Sequence, residues 1–392
     1  MLRLPLGNKC WPIGLDLGAD SVKMLQLRSS GEELAVQACA RWRVPSSVRY
    51  DEARRNELTV EAVRDMLGSN PFHGRKVMTA LRCSQLNIRN IRVPKMPEEE
   101  LAEAVRWEAS ERFSFEVCPD TVRYLKAGEV RQGNDTQDEV ILMVVQKEIA
   151  DQHLALIHQM GLYPLCVGAE PVELFRTFER KLRRKADADT VSVVLDIGAE
   201  ATRVVVARGR QIVFIKNINM AGRRLTEAAA KQLNLSIEEA DQLRSLVMKE
   251  YADACQDSGS PDEAAASMKV SESVRWTIHD AVRGELEALA REIALCLRYC
   301  SVTFRGIRPE SVAVTGGQAY DPSVVKLLSD QLGIDCRIGR PLHGVDVSDA
   351  PLGQDRRGTL AEWAVCAGLA VRDVEFEDTA DDVDDGQHRL SA

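Results

Sequence analysis

The chain has 392 residues, 45% of them apolar, and a formal net charge of −9 with a pI near 5.4. That length holds two to three domains with real cores, and the acidic balance, without a concentrated basic face, argues against a nucleic-acid partner. Met1 to Trp11 has no apolar core of signal-peptide length, no later apolar run reaches membrane-spanning length, and ten cysteines lack any CxxC pair, so a cytosolic chain with reduced core thiols is expected.

In chain order, Ile13-Gly-Leu-Asp16-Leu-Gly18-Ala19-Asp20-Ser21-Val-Lys23 reads as a strand, a tight turn and the start of a second strand. Glycine and alanine let that turn close tightly, so that its amide groups can face one anion. The aspartate ends the first strand beside it, where a carboxylate favours a hydrated divalent cation. Glu32 to Val44 alternates as another strand, Asn56 to Leu67 reads as a short helix, and Lys76 to Arg82 and Leu86 to Val93 are two more strands. Pro97 and the glutamates after it open a helix whose apolar stripe is Leu101, Ala104, Val105 and Ala109. Trp107, beside that stripe, reads first as a packing residue and second as a contact residue. Asp138 to Gln146 is a buried strand, and Ile149 to Met160 a helix closing at Gly161. Val167 to Phe178 turns a strand into a helix at Glu170, and charged Arg180 to Asp189 reads as a crossing between lobes.

The opening pattern then recurs. Val193-Val-Leu-Asp196-Ile-Gly198-Ala199-Glu200-Ala-Thr202-Arg203 repeats aspartate, apolar residue, glycine, alanine, acid and, further on, a cation. One such hairpin is ordinary, but two, each followed by a long mixed α/β segment, form a repeat that could grip the phosphates of one nucleotide. Gln211 to Ile218 is a strand, Gly222 begins a helix over Leu225 to Leu233, and Ser236 with Glu239 fits a capping box. Tyr251 to Ser271 reads as a solvated loop, and Val274 to Tyr299 as one long amphipathic helix. Val312-Ala-Val-Thr315-Gly316-Gly317 is a strand ending in a turn that lets backbone approach a flat base or ribose, just before a helix. Ala361 to Val371 is a small-residue helix that returns to the first lobe, and acidic Asp373 to Ala392 is expected to be disordered.

Two phosphate-type hairpins followed by an adenosine-type turn resemble the actin-like ATPase superfamily. The opening Ile13-Gly-Leu-Asp-Leu-Gly18, the block Val93-Pro-Lys-Met-Pro97 with Arg106-Trp107-Glu108-Ala109, and Gly222 before Leu225-Thr-Glu227 look like the type IV pilus assembly protein PilM, whose family is similar to FtsA. The resemblance implies an α/β, two-lobed actin-like (ribonuclease H-like) ATPase fold with an extra small α/β subdomain in the first lobe. On this reading residues 11–190 form the first lobe, with the insert at about 86–165. Residues 191–345 form the second lobe, 346–372 return to the first, and 373–392 are the tail. It also implies a cytoplasmic scaffold, peripheral at the inner face of the inner membrane, in the assembly platform of a type IV pilus and twitching motility or of a related type II secretion system. Its implied partner is the cytoplasmic N-terminal tail of a PilN-like membrane protein, bound near Arg106 and Trp107, with motor ATPases and self-association left open.

Carried over residue by residue, the resemblance implies ATP with Mg2+ held through water by Asp16 and Asp196. Gly18, Ala19, Asp20 and Ser21 form the first phosphate turn, and Lys23 neutralises phosphate. Gly198, Ala199, Glu200 and Thr202 form the second turn, and Gly316 with Gly317 the adenosine turn. Glu170 is the candidate for ordering a water, or equally a helix-start acid before Pro171. Asp241 and Arg244 stand near the base, with arginine where the family has lysine, and Gln318 replaces a third glycine. ATP binding is therefore expected, with hydrolysis weak or absent. A nucleotide-independent pseudo-ATPase and an actin-fold small-molecule kinase are the alternatives, and an Hsp70-like chaperone lacks a following substrate domain.

Overall fold

The computed structural model describes residues 9–30, 33–132, 135–182, 184–257, 269–304, 308–348, 350 and 359–372. In chain order come β1 (Lys9–Cys10), β2 (Ile13–Leu17), β3 (Ser21–Ser30), β4 (Glu33–Arg43), α1 (Glu52–Ser69) and β5 (Lys76–Leu81). β6 (Asn87–Pro94), α2 (Glu98–Arg112), β7 (Val122–Gln132), β8 (Asp135–Val144) and α3 (Lys147–Gln159) follow, then β9 (Tyr163–Ala169) and α4 (Glu170–Glu179). The second half holds β10 (Val191–Ile197), β11 (Thr202–Arg208), β12 (Gln211–Ile218), α5 (Gly222–Leu233), α6 (Ile237–Asp257) and α7 (Glu272–Thr303). It ends with β13 (Ser311–Thr315), α8 (Pro322–Leu332), β14 (Asp335–Ile338), β15 (Val345–Asp346) and α9 (Ala364–Ala370).

Two sheets repeat one plan. The order β4-β3-β2-β5-β9 in the first matches β12-β11-β10-β13-β14 in the second, and in both the first two pairings are antiparallel and the last two parallel. Each hairpin therefore feeds its aspartate-bearing strand into the centre of a sheet, where both faces are covered and its apolar residues can run unbroken. Ile13 and Leu15 in β2, and Val193 to Leu195 in β10, are buried for that reason.

Helices α4 and α9 fill the layer between the sheets. Leu174, Phe175, Val365 and Leu369 pack with Met78 of the first sheet and with Val194, Val205 and Ile215 of the second. Full burial of such side chains contributes about 1.5–3 kcal/mol each. The two helices touch closely because Gly368 has no side chain; a Cβ there would stand 1.7 Å from the Glu173 carbonyl oxygen.

The third sheet, in the order β6-β8-β7, is antiparallel throughout. Alternation gives it two apolar faces. Val140, Leu142 and Val144 meet α2 at Leu101, Val105 and Ala109, while Ile141 and Met143 face the core shared with the second lobe.

Several expectations are corrected. α1 begins at Glu52, where Asp51 accepts the Arg54 amide at 3.1 Å as N-cap, rather than at Asn56. β7 and β14 lie where no element was read. The loop expected from Tyr251 is helical to Asp257, because Val247, Met248 and Tyr251 hold the last turns of α6 on the core; residues 258–268 lie outside the described residues. The turn at Gly316 leads into a single 3-10 turn, Gly317–Tyr320, before α8. Trp107 does not pack: it is 62% exposed, on the side of α2 turned away from the sheet. The acidic tail, residues 373–392, also lies outside the described residues. Nine cysteines are free thiols among those described.

Candidate functional site

Both hairpins present the same pair of groups to one cleft. Asp16 lies opposite Lys23 in the β2–β3 register, and Asp196 lies opposite Arg203 in the β10–β11 register. Opposed residues of an antiparallel pair share a face, so each aspartate meets its own cation. Lys23 Nζ donates to Asp16 Oδ2 at 3.1 Å, and Arg203 Nη1 to Asp196 Oδ2 at 2.5 Å.

Between them runs a cleft of about 200 Å³ lined by Asp16, Gly18, Ala19, Asp20, Ser21, Lys23, Glu170, Asp196, Gly198, Ala199, Glu200, Gly316 and Gly317. The first turn is tight at Gly18, where a Cβ would stand 2.7 Å from the Ser21 carbonyl oxygen. In the second, the Gly198 amide donates to the Ala201 carbonyl at 3.1 Å, and α5 starts against it through Gly222 and Arg223 amides donating to the Gly198 and Ala199 carbonyls. Arg49 holds Asp20 at 2.7 Å and Arg223 holds Glu200 at 2.6 Å, so the acid of each turn is already neutralised. Gly316 adopts φ +86°, and a Cβ there would stand 2.4 Å from the Ile197 carbonyl oxygen, so only glycine lets this turn pass the end of β10.

Three expected residues lie off the lining. Thr202 is buried and donates to the Met220 carbonyl at 2.6 Å, pinning the second hairpin. Asp241 is exposed on α6. Arg244 is 2% exposed, and its two terminal nitrogens are spent on Gly222 O, Thr226 Oγ1, Gln318 Oε1 and Asp321 Oδ2. Arg106 and Trp107 sit apart from the cleft, exposed on α2.

Glu170, the first residue of α4, is held at both oxygens: Arg203 Nη2 lies 2.6 Å from Oε1, and the Cys83 amide donates to Oε2 at 2.9 Å. Burial raises its pKa above the ordinary carboxylate value, against the pull of Arg203 and the Cys83 amide and with the help of Asp16 and Asp196. Burial alone would lower the Arg203 pKa, but Glu170 and Asp196 outweigh it and the guanidinium stays charged. The Cys83 thiol is pushed up to about 12 by burial and by Glu170, so it is no nucleophile.

Reading the sequence also missed lining residues. Arg203 had a signal, since a cation stands seven places after the aspartate in both hairpins. Arg82, Cys83 and Ser84 follow β5 as Gly316 follows β13, and the strand repeat could have found them. Arg41 and Glu362, 3.7 Å apart, come together only in the fold; Glu362 also accepts from the Tyr320 hydroxyl at 3.0 Å.

The donor set allows a test of the expected magnesium. Asp196 Oδ1 accepts from Thr315 Oγ1 at 3.1 Å while Oδ2 faces Arg203, whose guanidinium bridges to Glu170. A divalent ion between Asp16 and Asp196 would meet that positive charge at close range, where like charges repel strongly in a partly dry cleft. These residues do not fit the magnesium site. They do fit an anion, through turn backbone, Lys23, Arg203, Arg41 and Arg82 around one space.

Residues 193–352 match the profile of cell division protein FtsA. FtsA of Staphylococcus epidermidis is 29% identical over 154 residues, 38% of this chain and 32% of that protein, so the chain spans about a third of the length of the curated relatives it matches. Among solved structures, a PilM-PilN type IV pilus biogenesis complex aligns with a TM-score of 0.71 at 26% identity, over 92% of this chain and 97% of that one. Ethanolamine utilization protein EutJ from Carboxydothermus hydrogenoformans aligns at 0.49 and 14% identity, over 94% and 92%. The fold is the two-lobed actin-like ATPase fold. The profile of type IV pilus assembly protein PilM matches residues 14–258, more than half of the 392, and the chain belongs to that family.

Proposed function

We propose that this chain is an ATP-binding scaffold of a type IV pilus, or related type II secretion, assembly platform, and that it holds the cytoplasmic tail of an inner-membrane PilN-like protein. The observation that carries the nucleotide half is the facing pair of turns, Gly18 to Ser21 and Gly198 to Ala201, which share one cleft with Gly316. The partner half is supported by family membership and by likeness, over 92% of the chain, to a protein solved as a PilM-PilN complex. Among the described residues no helix is long and apolar enough to cross a membrane, so the reading assigns membrane contact to the partner's tail. The tail site is proposed within residues 86–165, where exposed Trp107 and its neighbour Arg106 offer an aromatic and a charged anchor. Magnesium is left out of this proposal because Arg203 competes for Asp196.

A second reading, a scaffold that needs no nucleotide, is favoured by one observation: both oxygens of Glu170 already have donors. Calorimetric titration of the purified chain with ATP, and separately with a synthetic PilN-like tail, tests both. Heat with the tail and none with ATP supports the second reading; heat with neither removes both.

A further inference from the structure

We infer that Arg203 takes the place of the divalent cation in this cleft, so that a nucleoside triphosphate is bound without a metal. The inference rests on the nucleotide reading and deepens it.

Three observations carry it. Arg203 joins two buried carboxylates, Asp196 at 2.5 Å and Glu170 at 2.6 Å, which otherwise would carry uncompensated charge into the cleft. It is the counterpart, by register, of Lys23 in the other hairpin, so the two cations face the space between the turns from opposite lobes. Its planar fork matches phosphate oxygens in pairs, which a lysine cannot do.

Phosphate charge has other partners here as well. Arg41 and Arg82 line the same space, while Asp20 and Glu200 are paired with Arg49 and Arg223. A metal normally supplies this neutralisation; in this cleft a side chain supplies it.

The test is binding of ATP to the full chain by calorimetry, once with magnesium and once with EDTA. The expected result is affinity within about threefold in the two conditions for the wild type. For Arg203→Ala, affinity in EDTA should fall by about tenfold or more and recover when magnesium is added. A wild type that loses about tenfold or more in EDTA overturns the inference while leaving the nucleotide reading intact. Arg203→Ala binding ATP in EDTA as tightly as the wild type overturns the assignment to Arg203. Should Arg203→Ala fail to fold, the wild-type comparison decides alone, and Arg203→Lys, which keeps the charge but loses the fork, is expected to fall between. No binding in either condition removes the nucleotide reading, and the inference falls with it.

Discussion

Arg244 Nη2 lies 3.0 Å from Asp321 Oδ2, and both side chains are buried. The same guanidinium reaches Gly222, Thr226 and Gln318, so one charge ties α5 and α6 to the turn after β13 and to α8, which Asp321 also caps through the Ser323 amide. Asp321→Ala leaves Arg244 buried and unpaired. The expected cost is about 3–5 kcal/mol by urea unfolding, and a loss under about 1 kcal/mol would show that Arg244 is satisfied without it.

Two glycine-to-alanine changes should move stability in opposite directions. At Gly368 the new Cβ meets the Glu173 carbonyl oxygen at 1.7 Å, and α9 must move off α4; a loss of about 3 kcal/mol or more is expected. At Gly284, inside α7, nothing lies within 4 Å, and alanine should add about 0.5–1 kcal/mol through helix propensity. Thermal melting of the two variants beside the wild type reads both, and equal shifts would contradict the packing of α9 on α4.

His153 sets a pH dependence. It is 6% exposed, its Nε2 lies 3.2 Å from Thr79 Oγ1, and burial with Arg82 nearby lowers its pKa to about 4 from the ordinary 6.5. The folded chain thus holds the proton less tightly than the unfolded chain. Its contribution is complete above pH 6.5 and is lost as pH falls towards 4, about 3 kcal/mol across the window. Urea unfolding at several pH values should show this slope, and His153→Gln should flatten it. An unchanged slope in the variant would assign the acid sensitivity to other groups.

Turnover should be slow. Glu170 is the candidate for ordering water, and with Arg203 and the Cys83 amide already on its two oxygens it has little capacity left to accept a hydrogen bond from one. Phosphate release from ATP is expected far below the rate of about ten per second typical of enzymes. Steady release near that rate would put the chain among working ATPases.

Trp107→Ala is expected to weaken a PilN-like tail by about 2 kcal/mol, as for a central aromatic anchor. ATP affinity should be unchanged, because Trp107 does not line the cleft. Pull-down with the tail peptide and calorimetry with ATP separate the two effects. Undiminished capture would move the tail site away from α2.

The hairpins were legible because aspartate and glycine at a strand end leave little choice of local geometry, and a repeat doubles that signal. The helix α2 was legible for a similar reason: Leu101, Val105 and Ala109 recur at helical spacing. β7 was not, since Arg123, Lys126 and Glu129 break its apolar pattern, and only the pairing with β8 shows Val122, Ala127 and Val130 to be buried. α6 ran past its expected end because one buried aromatic, Tyr251, outweighed a polar composition. At the site, residues within a hairpin could be read from spacing. Arg41 and Glu362 could not, because 320 residues separate partners 3.7 Å apart, and no local propensity encodes such a meeting.

Glu139 is 1% exposed, and in the middle of β8 it accepts from Arg92 at 2.9 Å and from the Tyr299 hydroxyl, on α7, at 2.8 Å. Gln211 of β12 adds a second stitch by donating to the Lys126 carbonyl at 2.7 Å. The small sheet is thus continuous in chain with one lobe and riveted to the other. A hinge movement that opens the cleft has to carry the sheet along or shear it off Tyr299. Since α2 rides on the opposite face of the same sheet, it is tied through Glu139 and Tyr299 to the second lobe as well as through the chain to the first.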